Sequence, residues 1–444
     1  MKRRAFLKSA AASAAALFTP VKGFPAVVKL RTPNSLLSHA CVGTGNMARS
    51  DLDSLRSHKG THITALCDVD ATYLEAAHKV CPDARLYRNW AEMLEKEGTA
   101  IDSVNVSTPD HMHAEIILNA LNRGLNVYAQ KPLCHALEEC RAIADLAAQK
   151  KAITQLGTQI AAWDCDRLTV HFLRSGVIGE IKHAWIFTTS GGFAAGERKW
   201  PLPEDPVPPT LDWKLWLGKT PYRPFAKGVY HPGTWRKWRA FGSSWLGDMG
   251  SHLFSPVWIG MDLGTLVPQW VKASVSDDGW NPAMKEQFWP RMCHVTWGFP
   301  GVKATGGKPF EMEWFDGPSK EASTLAEFLP PNALQAIAAK TAFKQLPIQG
   351  RVIEGSEGWL ISHHFGEWPA VVLKNGGTPP AAPTLEKVPT HYHEYLNSCT
   401  TGKPTTSSFD WTTRLTDVIL LGNVAQLQPG TTLKWDGRKI VKGA

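Results

Sequence analysis

The chain has 444 residues, of which 43% are hydrophobic and 20% are charged, and its formal net charge is +8. This composition excludes a mainly disordered, collagen-like or disulfide-dense protein, and at roughly 100–200 residues per domain the length predicts two or three domains. The sequence contains no run of about 18 apolar residues, which excludes a protein with several membrane spans.

The positive charge is concentrated at the N-terminus. Residues 1–31 contain seven lysines and arginines and no carboxylate, and the rest of the chain has 41 basic against 40 acidic residues. This balance leaves no basic surface of the kind that binds phosphates, so the sequence predicts no nucleic-acid partner.

The same N-terminal segment is similar to a twin-arginine export signal. Arg3 and Arg4 precede an alanine-rich apolar stretch over residues 10–18. We therefore predict a signal and linker over residues 1–35, with the twin-arginine export machinery as a partner. The predicted location is periplasmic or otherwise exported, without stable membrane insertion. The alternative is an alanine-rich amphipathic helix of the mature protein.

Short apolar runs alternate with helical patterns from residue 36 to residue 157. Such alternation is typical of βαβ units, and it predicts an α/β domain with a parallel sheet and helices on both faces. The predicted strands are 37–42, 62–67, 85–87, 101–106, 125–129 and 153–156. The predicted helices are one ending near 58 and those at 73–80, 90–97, 113–122 and 137–150.

The pattern changes after residue 157. Strand-like segments with few helices between them predict an α+β domain built on a mixed, largely antiparallel sheet. The predicted strands are 182–189, 267–275, 291–297, 310–314 and 359–362, and the predicted helices are 168–175, 248–260, 391–398 and 412–426. Residues 200–240, rich in proline and tryptophan, are predicted to form an ordered loop excursion, and 315–350 an insertion.

A Gly43-x-Gly45-x-x-Ala48 turn follows the first predicted strand and opens the first predicted helix. The first glycine permits the tight turn, the second lets the backbone approach a pyrophosphate, and the small third residue allows close packing. Asp68 ends the second strand, where a carboxylate can bind a ribose 2′-hydroxyl group and repel a 2′-phosphate. NAD is therefore the predicted cofactor. The alternative is that Asp68 only caps the next helix, for which Asp70 is better placed.

Three further polar segments stand at positions suited to catalysis. Residues 107–113 (STPDHMH) and 130–133 (QKPL) follow the fourth and fifth strands, and residues 247–252 (GDMGSH) open a later helix. Open α/β sheets bind their ligands outside the carboxyl ends of the strands, so the first two segments are expected beside the cofactor. Asp248 and His252 are four residues apart and share one helix face.

The glycine turn, the Thr-Pro-x-x-x-His segment, the Lys-Pro dipeptide and the Asp-x-x-x-His pair together resemble the glucose–fructose oxidoreductase/inositol dehydrogenase (Gfo/Idh/MocA) family. Residues 211–218 (LDWKLWLG), 235–236 (WR) and 421–425 (LGNVA) further resemble its exported branch. The resemblance covers nearly all of the mature chain. It implies a NAD-binding Rossmann domain over 36–157, a substrate and oligomerisation domain over 158–444, and a homo-oligomer.

The resemblance also implies catalytic roles. Lys131 would hydrogen-bond the reacting oxygen and relay its proton. His252 would be the partner base, because the ordinary pKa of a histidine side chain is near neutrality. Asp248 would orient the substrate or the histidine. The alternative is that Asp248 caps the helix and His252 is a satisfied interior histidine.

The predicted binding residues belong to two groups. The cofactor contacts are Gly43, Thr44, Gly45, Asn46, Met47, Asp68, Ser107, Thr108, Pro109, His113, Gln130, Lys131 and Gln159. Tryptophan offers a flat apolar face to a pyranose ring, and Trp163, Trp235 and Arg236 are the predicted substrate contacts. No metal is predicted, because the histidine pairs at 111/113 and 391/393 have no third ligand at a diagnostic spacing.

Two positions depart from the family pattern. The usual Glu-Lys-Pro is Gln130-Lys131-Pro132, which removes a carboxylate beside the lysine. The usual Gly-x-Gln-x-His ends in Ala161, so no histidine at that position can take part.

The sequence favours a NAD-dependent oxidoreductase that acts on a hydroxyl group of a sugar, polyol or glycoside. Export implies a bound, recycled nucleotide, because no NAD pool outside the cytoplasm reoxidises NADH. The alternative is a NAD-dependent glycoside hydrolase that works by transient oxidation, elimination, hydration and reduction. A third hypothesis is a non-catalytic sugar-binding protein, against which Lys131, Asp248 and His252 argue.

Overall fold

The computed structural model describes residues 36–189, 198–317, 348–365 and 368–441, together with residues 329, 331, 334 and 335. The predicted leader, residues 1–35, lies outside the described residues, as does most of the predicted insertion at 315–350. Among the helices of the described part, none combines the length and the apolar character needed to cross a bilayer.

The first sheet has six strands: β1 (Leu37–Val42), β2 (Thr61–Cys67), β3 (Arg85–Tyr87), β4 (Ser103–Val106), β5 (Asn126–Ala129) and β6 (Thr154–Leu156). All neighbouring strands are parallel, in the order β3-β2-β1-β4-β5-β6. The predicted parallel sheet is therefore confirmed. The direction of strand progression reverses between β1 and β4, so the loops that follow these strands diverge and leave a crevice.

The connecting helices are α1 (Met47–Arg56), α2 (Ala71–His78), α3 (Trp90–Glu97), α4 (Asp110–Asn122) and α5 (Leu137–Lys150). Helix α4 begins three residues before its predicted start. Pro109 precedes its first turn, where a residue without an N–H group costs no helical hydrogen bond. This earlier start brings Asp110 into the first turn of the helix, at the edge of the crevice.

The second sheet has nine strands: β7 (Ile181–Thr188), β8 (Trp270–Val275), β9 (Cys293–Phe299), β10 (Phe310–Asp316), β11 (Gln349–Gly355), β12 (Gly358–His363), β13 (Ala370–Leu373), β14 (Leu433–Trp435) and β15 (Ile440–Val441). Their order in the sheet is β13-β12-β11-β7-β10-β9-β8-β14-β15. Strands β7 and β10 pair in parallel, and every other neighbouring pair recorded is antiparallel. The predicted mixed, mostly antiparallel sheet is confirmed.

Strands β11, β13, β14 and β15 are not among the predicted ones. Strand β11 begins inside the predicted insertion, and the other three have only two to four residues, too few to show a reliable alternation. Strand β8 starts at Trp270, later than predicted, because Pro268 has no N–H group to donate to a ladder.

One apolar core joins the two sheets. The helices of the second part are α6 (Asp164–Ser175), α7 (Trp213–Leu217), α8 (Ser244–Gly260), α9 (Pro282–Gln287), α10 (His391–Thr401) and α11 (Phe409–Gln426). Helix α11 packs against both α8 and α5, and buried residues of both sheets share one cluster. Helix α10 returns to the first sheet, where Tyr395 and Leu396 are buried beside Leu37 and Leu52. These packings fix the two sheets relative to each other.

The tryptophan-rich excursion is ordered around a buried aromatic cluster. Trp213, Trp216, Tyr230, Trp238 and Phe241 are each at most 5% exposed and pack ring against ring. Backbone hydrogen bonds from residue 212 to residue 69 and from residue 71 to residue 210 join the excursion to the carboxyl end of β2. The excursion therefore lies beside the crevice of the first sheet.

Candidate active site

The glycine turn is held in close contact with its surroundings. Gly43 has φ +89°, and a Cβ atom there would lie 2.4 Å from the carbonyl oxygen of Ser107. At Gly45 a Cβ atom would lie 2.6 Å from the ring of Tyr73. The first glycine is therefore required by its backbone conformation and by the neighbouring β4 loop, and the second by an aromatic ring that covers the turn.

Asp68 faces the glycine turn. Its Oδ2 accepts hydrogen bonds from the backbone N–H of Thr44 (2.8 Å) and from the Thr44 hydroxyl group (3.1 Å), while Oδ1 accepts from the N–H of Asp70 (2.9 Å). Burial raises the pKa of Asp68, although these hydrogen bonds oppose the shift. Asp70, not Asp68, caps α2 through the N–H of Thr72. Asp68 is thus placed to close the turn and to face a bound ligand.

A cleft of about 1290 Å³, including its open mouth, runs from the glycine turn to α8. The predicted residues on its wall are Gly43, Gly45, Asn46, Met47, Asp68, Ser107, Thr108, Pro109, Gln130, Lys131, Gln159, Trp235, Arg236 and His252. The Thr108 hydroxyl group is buried and has no hydrogen-bond partner among the described residues. The wall thus combines the glycine turn, a carboxylate and an unpaired hydroxyl group, which are groups that can bind a dinucleotide.

Four predicted site residues do not line the cleft. Thr44 lies behind the turn, bound to Asp68. His113 is 1% exposed, and its two ring nitrogens contact the carbonyl oxygens of residues 132 (2.8 Å) and 108 (2.7 Å). It therefore joins the loops that carry cofactor contacts instead of reaching the cofactor. Trp163 is 48% exposed, and Asp248 lies behind Lys131.

Lys131, Asp248 and Arg236 form a charged cluster at the second end of the cleft. The Lys131 Nζ donates to Asp248 Oδ1 (2.9 Å) and to the Asp248 carbonyl oxygen (2.7 Å), and Arg236 Nε donates to Oδ1 (3.1 Å). Burial alone would raise the pKa of Asp248, but the two cations outweigh it and hold the pKa below its usual value. Asp248 thus fixes the position of the Lys131 ammonium group.

His252 lies one turn further along α8 and lines the cleft. Its Nδ1 is buried and has no hydrogen-bond partner in the described part of the chain, so the alternative of a satisfied interior histidine does not fit. Burial, reinforced by the charge of Lys131, lowers the pKa of His252 well below its ordinary value. The expectation of a near-neutral pKa is therefore wrong. Burial and the nearby cations favour the neutral imidazole and make it a weaker base than an ordinary histidine.

A buried hydrogen-bond network explains the glutamine at position 130. The Gln130 side-chain amide donates to both carboxylate oxygens of Asp51 (2.9 and 2.8 Å). The hydroxyl groups of Ser107 and Tyr392 donate to the same carboxylate (2.7 and 2.6 Å). Burial raises the pKa of Asp51, and these hydrogen bonds and the nearby charge of Lys131 oppose the shift. Helix α1 thus places a carboxyl group against the side chain of residue 130, where the family pattern has a carboxylate of its own.

Two important side chains carry no sequence signal. Arg351, fully buried on β11, donates to the carbonyl oxygens of His252 (3.0 Å) and Leu253 (2.5 Å) and pairs with Asp166 (3.0 Å). It therefore anchors the α8 turn that carries the predicted base. His364 follows β12, with its ring centroid 5.4 Å from that of His252 and neither nitrogen hydrogen-bonded among the described residues. Burial lowers the pKa of His364 to about 3.

The excursion covers the glycine-turn end of the cleft. His231 pairs with Asp70 (2.9 Å), its ring packs edge-on against Tyr73, and the Asn46 side chain donates to the carbonyl oxygen of Pro232 (3.3 Å). His231, Pro232 and Trp235 also line the cleft. A ligand at the turn would therefore be enclosed by residues of both domains.

Family models match both domains. One described as an oxidoreductase family with an NAD-binding Rossmann fold matches residues 37–158, and one described as the C-terminal alpha/beta domain of that family matches residues 173–283. Together the matches span more than half of the chain.

A glycosyl hydrolase family 109 protein of Shewanella putrefaciens is 24% identical over 205 residues, which are 41% of this chain and 44% of that protein. The chain thus spans less than half the length of the curated relatives it matches.

Solved structures share the fold. An aldose-aldose oxidoreductase from Caulobacter crescentus, complexed with glycerol, superposes with a TM-score of 0.61 at 16% identity, over 90% of this chain and 100% of that chain. The WlbA dehydrogenase from Bordetella pertussis, in complex with NADH and UDP-GlcNAcA, gives 0.61 at 12% identity over 90% and 99%. Because both family models match in the order of the two observed domains, the chain belongs to the Gfo/Idh/MocA oxidoreductase family, and residues 37–158 are its NAD-binding Rossmann domain.

Proposed function

We propose that this protein is a NAD-dependent oxidoreductase that acts on a hydroxyl group of a sugar, polyol or glycoside and keeps its nucleotide bound between turnovers. The observation that carries the proposal is that Lys131 and His252 lie on the wall of the same cleft as the glycine turn. A dinucleotide bound along that wall would have its reactive end near both side chains.

The second end of the cleft suits removal of a hydroxyl proton. An ammonium group has three N–H donors, and Lys131 directs two of them to Asp248, which leaves one for a substrate oxygen. The neutral His252 can accept the proton as the carbinol carbon loses its hydride. NAD⁺, when bound, supplies the hydride acceptor. In the reverse direction, when a keto group is reduced to an alcohol, the same side chains return a proton to the oxygen.

Enclosure of the glycine turn supports a retained nucleotide. The pairing of His231 with Asp70 and the contact of Asn46 with Pro232 join the two domains over this end of the cleft. These contacts cover part of the turn, so they would slow the exit of a dinucleotide bound beneath them. Asp68 beside the turn favours NAD over NADP, since a second negative charge there is repelled.

The second candidate is a glycoside hydrolase that uses the same residues. Its support is the partial match to relatives named as glycosyl hydrolase family 109 proteins. Oxidation of a glycoside hydroxyl to a ketone acidifies the adjacent C–H, so the aglycone can be eliminated, water added, and the ketone reduced by the stored hydride. Lys131 and His252 would move the protons, without the paired carboxylates of ordinary glycosidases.

Location and assembly complete the proposal. The paired arginines and the apolar stretch at the N-terminus support twin-arginine export, and a bound nucleotide explains how redox chemistry proceeds outside the cytoplasm. A homo-oligomer is proposed by analogy with the family alone.

The test is to purify the protein without added nucleotide and to incubate it with free sugars and with aryl glycosides. Oxidation of one sugar with matched reduction of another, and no net NADH, supports the main proposal. Aglycone release without net NADH selects the glycosidase. Stoichiometric NADH that requires added NAD⁺ contradicts retention. Sugar binding without turnover, unchanged in Lys131→Ala, supports a non-catalytic sugar-binding protein.

A further inference from the structure

Two histidines and two glutamates lie together on the second sheet, away from the cleft. They are His183 on β7, Glu311 and Glu313 on β10, and His294 on β9. Their neighbours along these strands, such as Met312 and Trp314, point to the opposite face and belong to the core. The cluster therefore occupies the outer face of the sheet, and none of its members lines the cleft described above.

Three of these side chains approach one another closely enough to share one ion. The ligand atoms of His183, Glu311 and Glu313 all lie within 4.8 Å of one another. Strand pairing sets this geometry, because His183 is the direct neighbour of Glu311 in the parallel β7–β10 ladder. His294 Nε2 contacts the second carboxylate oxygen of Glu313. One carboxylate thus stands between imidazoles from two neighbouring strands.

The contact between His183 and Glu313 is close but poorly directed for a hydrogen bond. The His183 Nε2 lies 2.6 Å from Glu313 Oε1, yet this buried nitrogen has no correctly oriented hydrogen-bond partner among the described residues. An ion about 2.0–2.2 Å from both atoms would have to lie off the line that joins them. The buried nitrogen would gain a partner if an ion replaced this contact.

The surroundings hold the ligands in place. The His183 ring stacks on Trp185 with centroids 4.0 Å apart and planes 24° apart, and Trp185 in turn stacks on Trp359. An imidazole whose ring is fixed in this way is preorganised as a ligand.

We propose that His183, Glu311 and Glu313, with His294 beside them, bind one divalent transition-metal ion of the zinc type. Imidazole and carboxylate ligands suit zinc, whereas magnesium prefers a site of oxygen ligands alone. The ion would join strands β7, β9 and β10 on the outer face and so stabilise the second domain. The sequence predicts no metal because these ligands are spread over 131 residues without a diagnostic spacing.

The proposal can be tested on the full-length protein, stripped of metal with a chelator and then titrated with zinc chloride by calorimetry. We expect one zinc ion per chain and a higher melting temperature after zinc addition. Glu313→Gln and the exposed Glu311→Gln should each weaken zinc binding at least ten-fold, and magnesium should not compete. The control is His393→Ala, which removes one ring of another close imidazole pair, His58 and His393, whose polar partners are Asn397 and Ser57.

Retention of nucleotide binding will show that each variant is folded. The proposal would be overturned if the wild-type protein did not bind zinc. It would also be overturned if folded Glu311→Gln and Glu313→Gln bound zinc as well as the wild type does, or if His393→Ala lost zinc binding to the same extent. Loss of zinc binding confined to the two glutamate variants supports it. Because the site is outside the cleft, neither outcome depends on the proposed enzymatic function.

Discussion

The two ends of the cleft are built in different ways. At the glycine-turn end, Gly43, Gly45 and Asp68 come from one β1–α1–β2 unit and hydrogen-bond within it. At the second end, Lys131, Asp248 and His252 come from two domains. Asp248 holds Lys131, and a buried arginine from a third segment anchors the α8 turn that carries His252. The first end is a local structure, and the second is an assembly of distant parts.

This difference determines which substitutions would disturb each end of the cleft. A local unit keeps its shape when a distant contact is lost, because its hydrogen bonds lie within about 25 residues of sequence. The second end depends on charge pairs whose partners are more than 100 residues apart, and a buried charge left without its partner is costly. Substitutions at the second end should therefore affect both catalysis and stability, and those at the first end mainly affinity.

The largest effect is expected for Lys131→Ala. This change removes the donor to the substrate oxygen, and we expect turnover to fall roughly 10³-fold, within the range of general acid–base contributions. Bound nucleotide should be retained, since the glycine-turn end is unchanged. Steady-state turnover and nucleotide content measure the two effects. Lys96→Ala, on an exposed pair with Glu92, is the matched control. Equal turnover in both variants would contradict the assigned role of Lys131.

Arg351→Met should be the most destabilising single change. It leaves Asp166 as a buried charge without its partner and the carbonyl oxygens of α8 without a donor. We expect the free energy of unfolding to fall by about 3–5 kcal/mol, measured by denaturant titration. Adding Asp166→Leu should restore part of this loss. A single variant as stable as the wild type would show that the arginine does not anchor α8.

Gln130→Glu should be destabilising in a pH-dependent way. It places a second carboxyl group against Asp51, so the pKa of one of them must rise, and we expect a loss of roughly 1–3 kcal/mol near neutral pH. A raised folded-state pKa makes the native state bind a proton more readily, so the loss should shrink as the pH falls. Denaturant titrations at about pH 8 and about pH 6 would compare the free energy of unfolding of the variant with that of the wild type.

The double substitution Asp51→Asn with Gln130→Glu exchanges the carboxylate and the amide. It should recover much of the stability that Gln130→Glu loses. If it is no more stable than the single variant, the Asp51–Gln130 pair does not explain the departure from the family pattern.

The smallest effect is expected for Asp68→Asn. The loss of one negative charge beside the turn should narrow the preference for NAD⁺ over NADP⁺ by about ten-fold, equivalent to about 1.4 kcal/mol. The amide oxygen of the substituted side chain can still accept from the Thr44 N–H, although the hydrogen bond from the Asp70 N–H is then lost. Dissociation constants for both nucleotides measure the change. An unaltered ratio would mean that Asp68 supports the turn but does not select the nucleotide.

Sequence reasoning succeeded where chemistry is local. The glycines and Asp68 are recognisable because the spacing of a strand, a turn and a helix determines their place. Lys131 and His252 could be named from motifs, but neither their common cleft nor the depression of the His252 pKa follows from spacing, because burial depends on the whole fold. Arg351 could not be found, since a single arginine on an unpredicted strand carries no pattern.

The role of His113 shows the same limit. Its motif position predicts a cofactor contact, but α4 turns the ring away from the cleft towards the carbonyl oxygens of Thr108 and Pro132. A motif gives the position of a side chain along the chain, and only packing decides its direction.

The most direct test of the account is the nucleotide content of the protein purified without added NAD. After denaturation, the released nucleotide would be identified and quantified by chromatography against the protein concentration. We expect NAD⁺ or NADH at close to one equivalent per chain, retained through extensive dialysis. A protein that is empty, and that does not bind NAD⁺ when it is added, would contradict nucleotide binding in this cleft and the function proposed from it.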